Sequence, residues 1–259
     1  MTIPKILLFA NQKGGVGKTT SCRELGLYFG SIGKKLLFID ADPQGNLTNG
    51  LIENDNKHGL FDALTDAPYE LKKIRDTIHI LSGDNRLTNL SKSLVGEIDA
   101  YTRLKTLLED EKFKQFDYIF IDSRPAFDTL TINGMTASPD VIIPMSAAEY
   151  TLQGTNDLLE SIAKVKKSHN PLINIIGVII NAFDSRPVIT REIREEIKEV
   201  FKDKVFNTAL SKTIKYEEAI AGKIGIVETT DSIKVKEEIV SLGQELLARL
   251  TPVTTRQEG

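Results

Sequence analysis

The stretch NQKGGVGKTT, residues 11–20, has the composition of a loop that holds phosphate groups. It lies between a short apolar run, KILLFA (5–10), and a helical pattern. Gly14, Gly15 and Gly17 allow successive backbone N–H groups to point inward and form an anion nest. The positive end of the following helix acts on the same point. The stretch therefore predicts a site for the phosphates of a nucleotide.

The loop departs from the common pattern G-x-x-x-x-G-K-[ST], which requires glycine where Gln12 stands. The next residue is a second lysine, Lys13, five positions before Lys18. Lys18 is placed to neutralise the β- and γ-phosphates of a nucleotide, and the hydroxyl of Thr19 can bind Mg²⁺. The pattern alone leaves the role of Lys13 open, because a solvated loop lysine would stand in the sequence in the same way.

Apolar runs alternate with helical patterns along the chain. The predicted strands are 5–10, 34–40, 78–81, 116–122, 141–145, 173–181 and 204–210. The predicted helices are 18–33, 86–95, 99–111, 149–168, 188–200 and 231–250. Because the strands are almost continuously apolar, they predict a three-layer α/β fold, a mostly parallel twisted sheet with helices on both faces. We expect one domain over residues 1–250 and a disordered tail at 251–259.

The composition limits the possible classes of protein. The hydrophobic fraction of 41% and the charged fraction of 27% are typical of globular proteins. No apolar run approaches the roughly 18 residues of a membrane span. With a single cysteine, Cys22, the chain has no disulfide framework and cannot supply several thiolates to a metal cluster. We expect a cytoplasmic protein.

The net charge of −3 hides an uneven distribution of charge. Residues 51–160 carry 11 basic and 19 acidic side chains, a balance of −8, whereas residues 161–223 carry 12 basic and 8 acidic, a balance of +4. Such asymmetry can give one face a positive potential, as a nucleic-acid-binding surface requires. Solvated helix surfaces would produce the same counts.

Three aspartates follow or end predicted strands. Asp40 and Asp122 each close an apolar strand, and the carboxyl ends of parallel strands meet at one edge of a sheet. Mg²⁺ keeps several of its waters, so these two carboxylates can hold the ion through water while Thr19 binds it directly. Asp42 lies two residues beyond Asp40, in DPQG, a stretch that is also good turn chemistry.

These motifs together resemble the ParA/MinD family of ATPases. KGGVGKTT resembles the family's deviant Walker A loop, DADPQGN (40–46) resembles the second motif of its ParA branch, and FDYIFID (116–122) resembles its Walker B strand. AAEYTLQGTNDLL (147–159) and GVIINAFDSR (177–186) fit ParA patterns in the same order. The resemblance runs from about residue 4 to 250 and implies the P-loop NTPase fold with a deviant Walker A loop.

The resemblance implies an ATP hydrolase of weak intrinsic activity that uses ATP and Mg²⁺. Lys13 would be the signature lysine, which reaches the nucleotide of the other subunit in an ATP-dependent homodimer, and Asp42 would orient the attacking water. The catalytic residues would be Lys13, Lys18 and Asp42. The nucleotide-binding residues would be Lys13, Gly14, Gly15, Val16, Gly17, Lys18, Thr19, Thr20 and Asn181. The Asn181 amide would read the adenine edge, although a turn-capping asparagine could occupy the same position.

For the ParA branch, the implied partners are a second copy of the chain, non-specific double-stranded DNA and a ParB-like protein that stimulates hydrolysis. The implied role is partition of a chromosome or plasmid, and the implied location is the nucleoid. Candidate DNA contacts in the basic third quarter of the chain are Arg191, Arg194, Lys198, Lys212 and Lys215.

Alternatives remain, since the chain departs from the family pattern in two places. Arg124 stands where a proline is expected after the Walker B aspartate, and LSKTIKYEEAIAGKIGI (210–226) matches its family counterpart only loosely. A positioning ATPase for a non-DNA cargo would carry the same motifs. A MinD-like membrane ATPase needs a basic amphipathic C-terminal helix, whereas the predicted helix 231–250 is acidic in its middle. A ligase for a small substrate would not explain DPQGN.

Overall fold

The computed structural model describes residues 3–184, 186–229 and 233–251. Its centre is a seven-stranded sheet in the order β3-β4-β2-β5-β1-β6-β7. The strands are β1 (Lys5–Phe9), β2 (Leu36–Ala41), β3 (Lys72–Arg75), β4 (Ile78–Leu81), β5 (Tyr118–Ser123), β6 (Asp140–Ser146) and β7 (Asn174–Asn181). All neighbouring strands pair in parallel except β3, which is antiparallel to β4. The predicted α/β class is confirmed.

Helices cover both faces of the sheet. Within the described ranges they are α1 (Lys18–Ser31), α2 (Asn46–Asn49), α3 (Leu60–Leu64), α4 (Leu87–Ser93), α5 (Arg103–Leu108), α6 (Thr129–Ala137), α7 (Leu152–Ser168), α8 (Val188–Phe201), α9 (Lys215–Ala221) and α10 (Ile233–Leu250). Short 3-10 turns occupy Glu111–Gln115, Lys202–Lys204 and Ile226–Glu228. Among the described residues, no helix has the length and apolar character to cross a membrane.

The core consists of two clusters, one on each side of the sheet. On one side, α1 and α10 bury side chains such as Phe29 and Leu242 against Phe120 of β5. On the other side, α6 and α7 bury side chains such as Leu130 and Val165. Burial on both faces explains why the central strands are apolar at nearly every position.

One predicted strand is wrong. Residues 204–210 make one isolated bridge rather than a strand, through Val205 opposite Val178 of β7. The backbone N–H groups of Asn207 and Thr208 instead donate to the carboxylate of Glu245 in α10, at 2.8 and 2.9 Å. A side chain from a distant helix therefore takes two donors in the middle of the segment, while the N–H groups of Phe206 and Leu210 donate to carbonyls of β7.

Other differences concern the lengths of elements. The predicted helix 99–111 is divided into α5 and the 3-10 turn Glu111–Gln115. The predicted helix 149–168 begins only at Leu152, where the Thr151 side chain caps α7. Part of the tail predicted as disordered, residues 252–259, lies outside the described residues.

Candidate functional site

The phosphate loop joins β1 to α1 and is held by Asn181 at the end of β7. The amide Nδ2 of Asn181 donates to the carbonyl of Val16 at 2.8 Å, and its Oδ1 accepts from the hydroxyl of Ser21 at 3.0 Å. Gly17 caps α1 with φ of 84°, and a Cβ there would lie 2.6 Å from Asn181 Nδ2. Glycine is therefore required at position 17 for both its conformation and its size.

Lys18 begins α1 and turns its amine back over the loop. It is 6% exposed, and its Nζ donates to the carbonyl of Lys13 at 2.9 Å. Burial lowers the pKa of Lys18, although the carboxylates of Asp122 and Asp42 act in the opposite direction. A buried amine with few partners gains strongly from an anion, so a phosphate group suits this position.

The two strand-end aspartates lie side by side, as the sequence predicts. Asp40 of β2 and Asp122 of β5 are register partners, and both are fully buried. Burial first, and then the charge of Asp40, raises the pKa of Asp122 well above its ordinary value. Burial also raises the pKa of Asp40, to about 6. Two desolvated carboxylates at one point are a suitable place for a cation.

The donor set fits Mg²⁺ in particular. The hydroxyl of Thr19 donates to Asp122 Oδ2 at 2.7 Å, so the residue expected to bind the ion already touches the carboxylate. Among the described residues, no donor reaches the buried Asp122 Oδ1. An orphaned carboxylate oxygen beside a threonine hydroxyl matches the oxygen ligands and retained waters that Mg²⁺ prefers.

Asp40 and Asp42 are oriented by the loop that follows β2. Asp40 Oδ2 accepts from both the backbone N–H and the hydroxyl of Thr48, at 2.8 and 2.7 Å. Asp42 accepts a hydrogen bond from the backbone N–H of Gln44 at 2.9 Å, so DPQG forms the turn that its sequence favours. Asp42 is also buried, at 7% exposure, and its negative charge acts to raise the pKa of Lys18.

Lys13 points away from its own phosphate loop. Its Nζ donates to the hydroxyl of Thr151 at 2.8 Å and to the backbone carbonyl of Glu149, both between β6 and α7. The two lysines of the loop therefore differ in direction. Lys18 covers the loop, whereas Lys13 lies against the turn before α7.

Comparisons with known proteins identify the family. A family described as an AAA domain matches residues 4–175. The sporulation initiation inhibitor protein Soj of Bacillus subtilis is 36% identical over 94% of this chain and 98% of its own. The chromosome partitioning protein ParA of Myxococcus xanthus is 32% identical over 99% of this chain and 92% of its own. The chain belongs to the ParA family.

A solved structure agrees with this membership of the ParA family. The ATP complex of a McdA variant from Cyanothece has a TM-score of 0.84 to this chain and 25% identity, over 96% of this chain and 97% of McdA. That complex holds ATP, and the donors around Lys18, Thr19 and Asp122 are consistent with ATP and Mg²⁺ as cofactors.

A cavity of about 210 Å³ lies beside the phosphate loop. Gly15, Gly17 and Thr20 form one wall and Asn181 another. The remaining lining comes from Ala182, Leu210, Ser211, Lys212, Thr213, Tyr216 and Glu217. The Asn181 amide already bonds the loop and Ser21, so adenine recognition by Asn181 remains a prediction.

The five candidate DNA contacts do not form one patch. Arg194 and Lys212 line a polar cleft of about 500 Å³ together with Arg186 and Lys234, two residues that are not among the five candidates. Lys198 pairs with Glu195. Lys215 pairs with Glu218, and Arg191 lies on α8 among glutamates. We call the surface lined by Arg186, Arg194, Lys212 and Lys234 the basic cleft; it also contains Asp184 and Glu238.

Arg124, which stands where the ParA family has a proline after the Walker B aspartate, forms an ion pair with a nearby residue. Its guanidinium pairs with Asp128 at 2.8 Å. Asp128 also caps α6 through the N–H of Thr131 and accepts from the hydroxyl of Ser91 in α4. Arg124 thus stabilises the start of α6, and its effect on contacts between subunits is untested.

Sequence reasoning missed several side chains that position the site. Thr48 fixes Asp40, Ser21 fixes Asn181, and Thr151 binds Lys13. None carries a motif of its own, because a hydroxyl near a carboxylate in space has no fixed spacing in the sequence. Thr151 alone had a local signal: a threonine before a helical pattern is a common N-cap.

Proposed function

We propose that this chain is a partition ATPase that hydrolyses ATP to ADP and phosphate and couples ATP binding to DNA binding. One observation carries the proposal. Lys18, Thr19 and the register partners Asp40 and Asp122 converge at the phosphate loop, with a buried carboxylate oxygen left without a donor among the described residues. Relatives of 31–33% identity are named chromosome partitioning proteins, which supports the coupling to DNA.

Each residue of the site has a role in the proposed reaction. The backbone N–H groups of residues 13–19 bind the phosphates, and Lys18 places its charge on the β- and γ-phosphates. The Thr19 hydroxyl would bind Mg²⁺, and Asp40 and Asp122 would hold its waters. When bound, Mg²⁺ would supply positive charge beside the phosphates. Asp42 orients the attacking water and accepts hydrogen bonds from it.

The proposal includes an ATP-dependent homodimer. Lys13 of one subunit would reach the nucleotide of the other, where a cation arriving in trans stabilises developing charge as an arginine finger does. Positioning then depends on dimerisation, so intrinsic hydrolysis is weak and a ParB-like activator stimulates it. We also propose that residues 1–250 act as a single domain, in the cytoplasm and on the nucleoid.

DNA binding is assigned to the positively charged side of the dimer. Arg194 and Lys212, in the basic cleft, are its first candidates, and Arg191, Lys198 and Lys215 extend the set. Contacts with phosphates carry no base preference and weaken steeply with salt. A membrane-bound role has less support, because α10 buries Val235, Ile239, Leu242, Leu246 and Leu250 in the fold.

The test is retention of the purified chain on random-sequence duplex DNA with ATP, with ADP and without nucleotide. We expect ATP-dependent retention that Asp42→Ala keeps or increases, that Lys13→Gln abolishes, and that salt weakens. Asp42→Ala should also bind ATP normally while its hydrolysis falls about 100-fold. ATP-dependent dimers without DNA retention in any state would contradict the DNA assignment and leave a positioning ATPase for a different cargo.

A further inference from the structure

The amine of Lys13 has two acceptors in its own subunit. Thr151 Oγ1 accepts from Nζ at 2.8 Å, and the carbonyl oxygen of Glu149 accepts from it as well. Both acceptors belong to the turn that leads from β6 into α7. The lysine proposed to act on a neighbouring subunit is therefore bound within its own.

The first turn of α7 is shaped around this lysine. Thr151 Oγ1 also accepts from the backbone N–H of Gly154 at 3.2 Å, so one hydroxyl serves both as the N-cap and as the lysine acceptor. Gly154 leaves open the space that the Lys13 chain occupies, because a Cβ at position 154 would lie 2.8 Å from Lys13 Cε. Glycine is otherwise an unfavourable residue inside a helix.

The two positions of Lys13 exclude each other. An amine that donates to Thr151 and Glu149 cannot at the same time reach a nucleotide in another subunit. Its contacts in the free chain are with neutral oxygens, whereas a phosphate offers a charged acceptor and a stronger bond. The exchange is therefore favoured only when the partner subunit carries a nucleotide.

Resting on the proposed function, we infer that Thr151 and the Glu149 carbonyl hold Lys13 in its own subunit in the free chain, and that dimerisation must release it. Thr151 is then a positioning residue that acts through Lys13. The apparent affinity of one subunit for another is reduced in proportion to the fraction of chains in which Lys13 is released. This contact therefore raises the protein concentration at which nucleotide-bound chains form dimers.

Four variants separate this role from the stability of α7. Gly154→Ala retains Thr151 but places a Cβ 2.8 Å from Lys13 Cε and 3.0 Å from Thr151 Oγ1, so it crowds the lysine and its acceptor. Thr151→Ala removes the acceptor and the cap together, and Thr151→Ser retains both. Gln153→Ala is the matched control, since it changes a neighbouring residue whose side chain contacts Asp157 instead.

The direct measurement is the rate at which a small acetylating reagent modifies Lys13 in the nucleotide-free chain, followed by mass spectrometry. We expect Gly154→Ala and Thr151→Ala to increase the rate about threefold to tenfold, which is the size of the net contribution of one typical hydrogen bond. Thr151→Ser and Gln153→Ala should match the native chain. An unchanged rate in Gly154→Ala would overturn the inference.

The second measurement is dimerisation by analytical ultracentrifugation with a slowly hydrolysed ATP analogue. Gly154→Ala should reach half-maximal dimer at about threefold to tenfold lower protein concentration than the native chain. If the native chain dimerises with nucleotide and every variant has the same midpoint, this inference is overturned and the proposed function stands. A native chain that never dimerises with nucleotide would overturn the proposed function, and this regulation with it.

Discussion

The phosphate loop and the basic cleft lie at the same edge of the sheet, but they are held in different ways. Asn181 and Asp122 are buried and bond residues far away in the sequence, whereas the buried Lys18 bonds the carbonyl of Lys13 within the loop. In the basic cleft, exposed Arg186 pairs with Asp184, two residues away, and lowers its pKa to about 2. The loop is thus set by the fold before any ligand arrives, whereas the cleft is set by local surface charge.

The largest effect that follows from this difference is expected at the buried lysine. Lys18→Met should weaken ATP binding about 100-fold or more, because it leaves phosphate charge unpaired in a desolvated site. Isothermal titration with ATP and Mg²⁺ measures the loss, and circular dichroism checks the fold. Lys166→Met, on the exposed surface of α7, should bind ATP as the native chain does.

The second prediction concerns the backbone of the loop. Gly17→Ala should lower the free energy of unfolding by about 3 kcal/mol, because a left-handed conformation and a collision with Asn181 add together. Gly33→Ala has a similar φ of 81° but nothing within 4 Å, so it should cost only about 1 kcal/mol. Urea denaturation of both variants tests the comparison, and equal losses would mean that Asn181 does not constrain the loop.

The third prediction is a trade between stability and ligand binding at Asp122. Its raised pKa means that the folded chain binds more protons than the unfolded chain, so the free energy of unfolding falls as pH rises above about 4. Asp122→Asn should flatten that fall and stabilise the nucleotide-free chain at pH 7 by about 1 kcal/mol. It should also weaken Mg²⁺-dependent ATP binding.

Thermal unfolding across pH measures the first effect of Asp122→Asn, and titration with ATP in the presence and absence of Mg²⁺ measures the second. The control is Asp66→Asn, at an exposed position, which should change neither result. A less stable Asp122→Asn chain at pH 7 would show that the negative charge stabilises the site instead.

The smallest effects are expected in the basic cleft. Arg194→Ala and Lys212→Ala should each weaken DNA binding only a few-fold and reduce the slope of log K against log salt by about 1. ATP binding should stay native in Arg194→Ala. Fluorescence anisotropy with a random duplex at several salt concentrations measures both quantities, with Lys166→Ala as the control outside the cleft. If Lys166→Ala weakened DNA binding as much as Arg194→Ala and Lys212→Ala, the basic cleft would not be the DNA-binding surface.

The contrast between buried and exposed sites also explains what the sequence could predict. The apolar strands and the register of Asp40 beside Asp122 follow from periodicity and from the rule for parallel strand ends. Thr151 and Thr48 were missed because their contacts join segments that only the tertiary fold brings together. The position of Lys212 in one cleft with Lys234 likewise depends on packing of α10, not on local pattern.

Local sequence patterns also failed to predict three segments whose surroundings differ from those of a typical helix or strand. The helix α6, TLTINGMTA, was not predicted, because it is buried at almost every position and shows no polar face. The polar strand β3, KKIR, was missed because it is an edge strand. Conversely, 204–210 has the apolar pattern of a strand, but Glu245 binds the N–H groups of Asn207 and Thr208 in its middle.

Ser211 and Lys212 line both the cavity beside the phosphate loop and the basic cleft. If these residues couple the two sites, the coupling is reciprocal. When ATP raises the affinity for DNA by some factor, DNA raises the affinity for ATP by the same factor. A chain bound to DNA would then bind its nucleotide more tightly than a chain in free solution. The nucleic acid would act as an effector of the nucleotide site as well as its target.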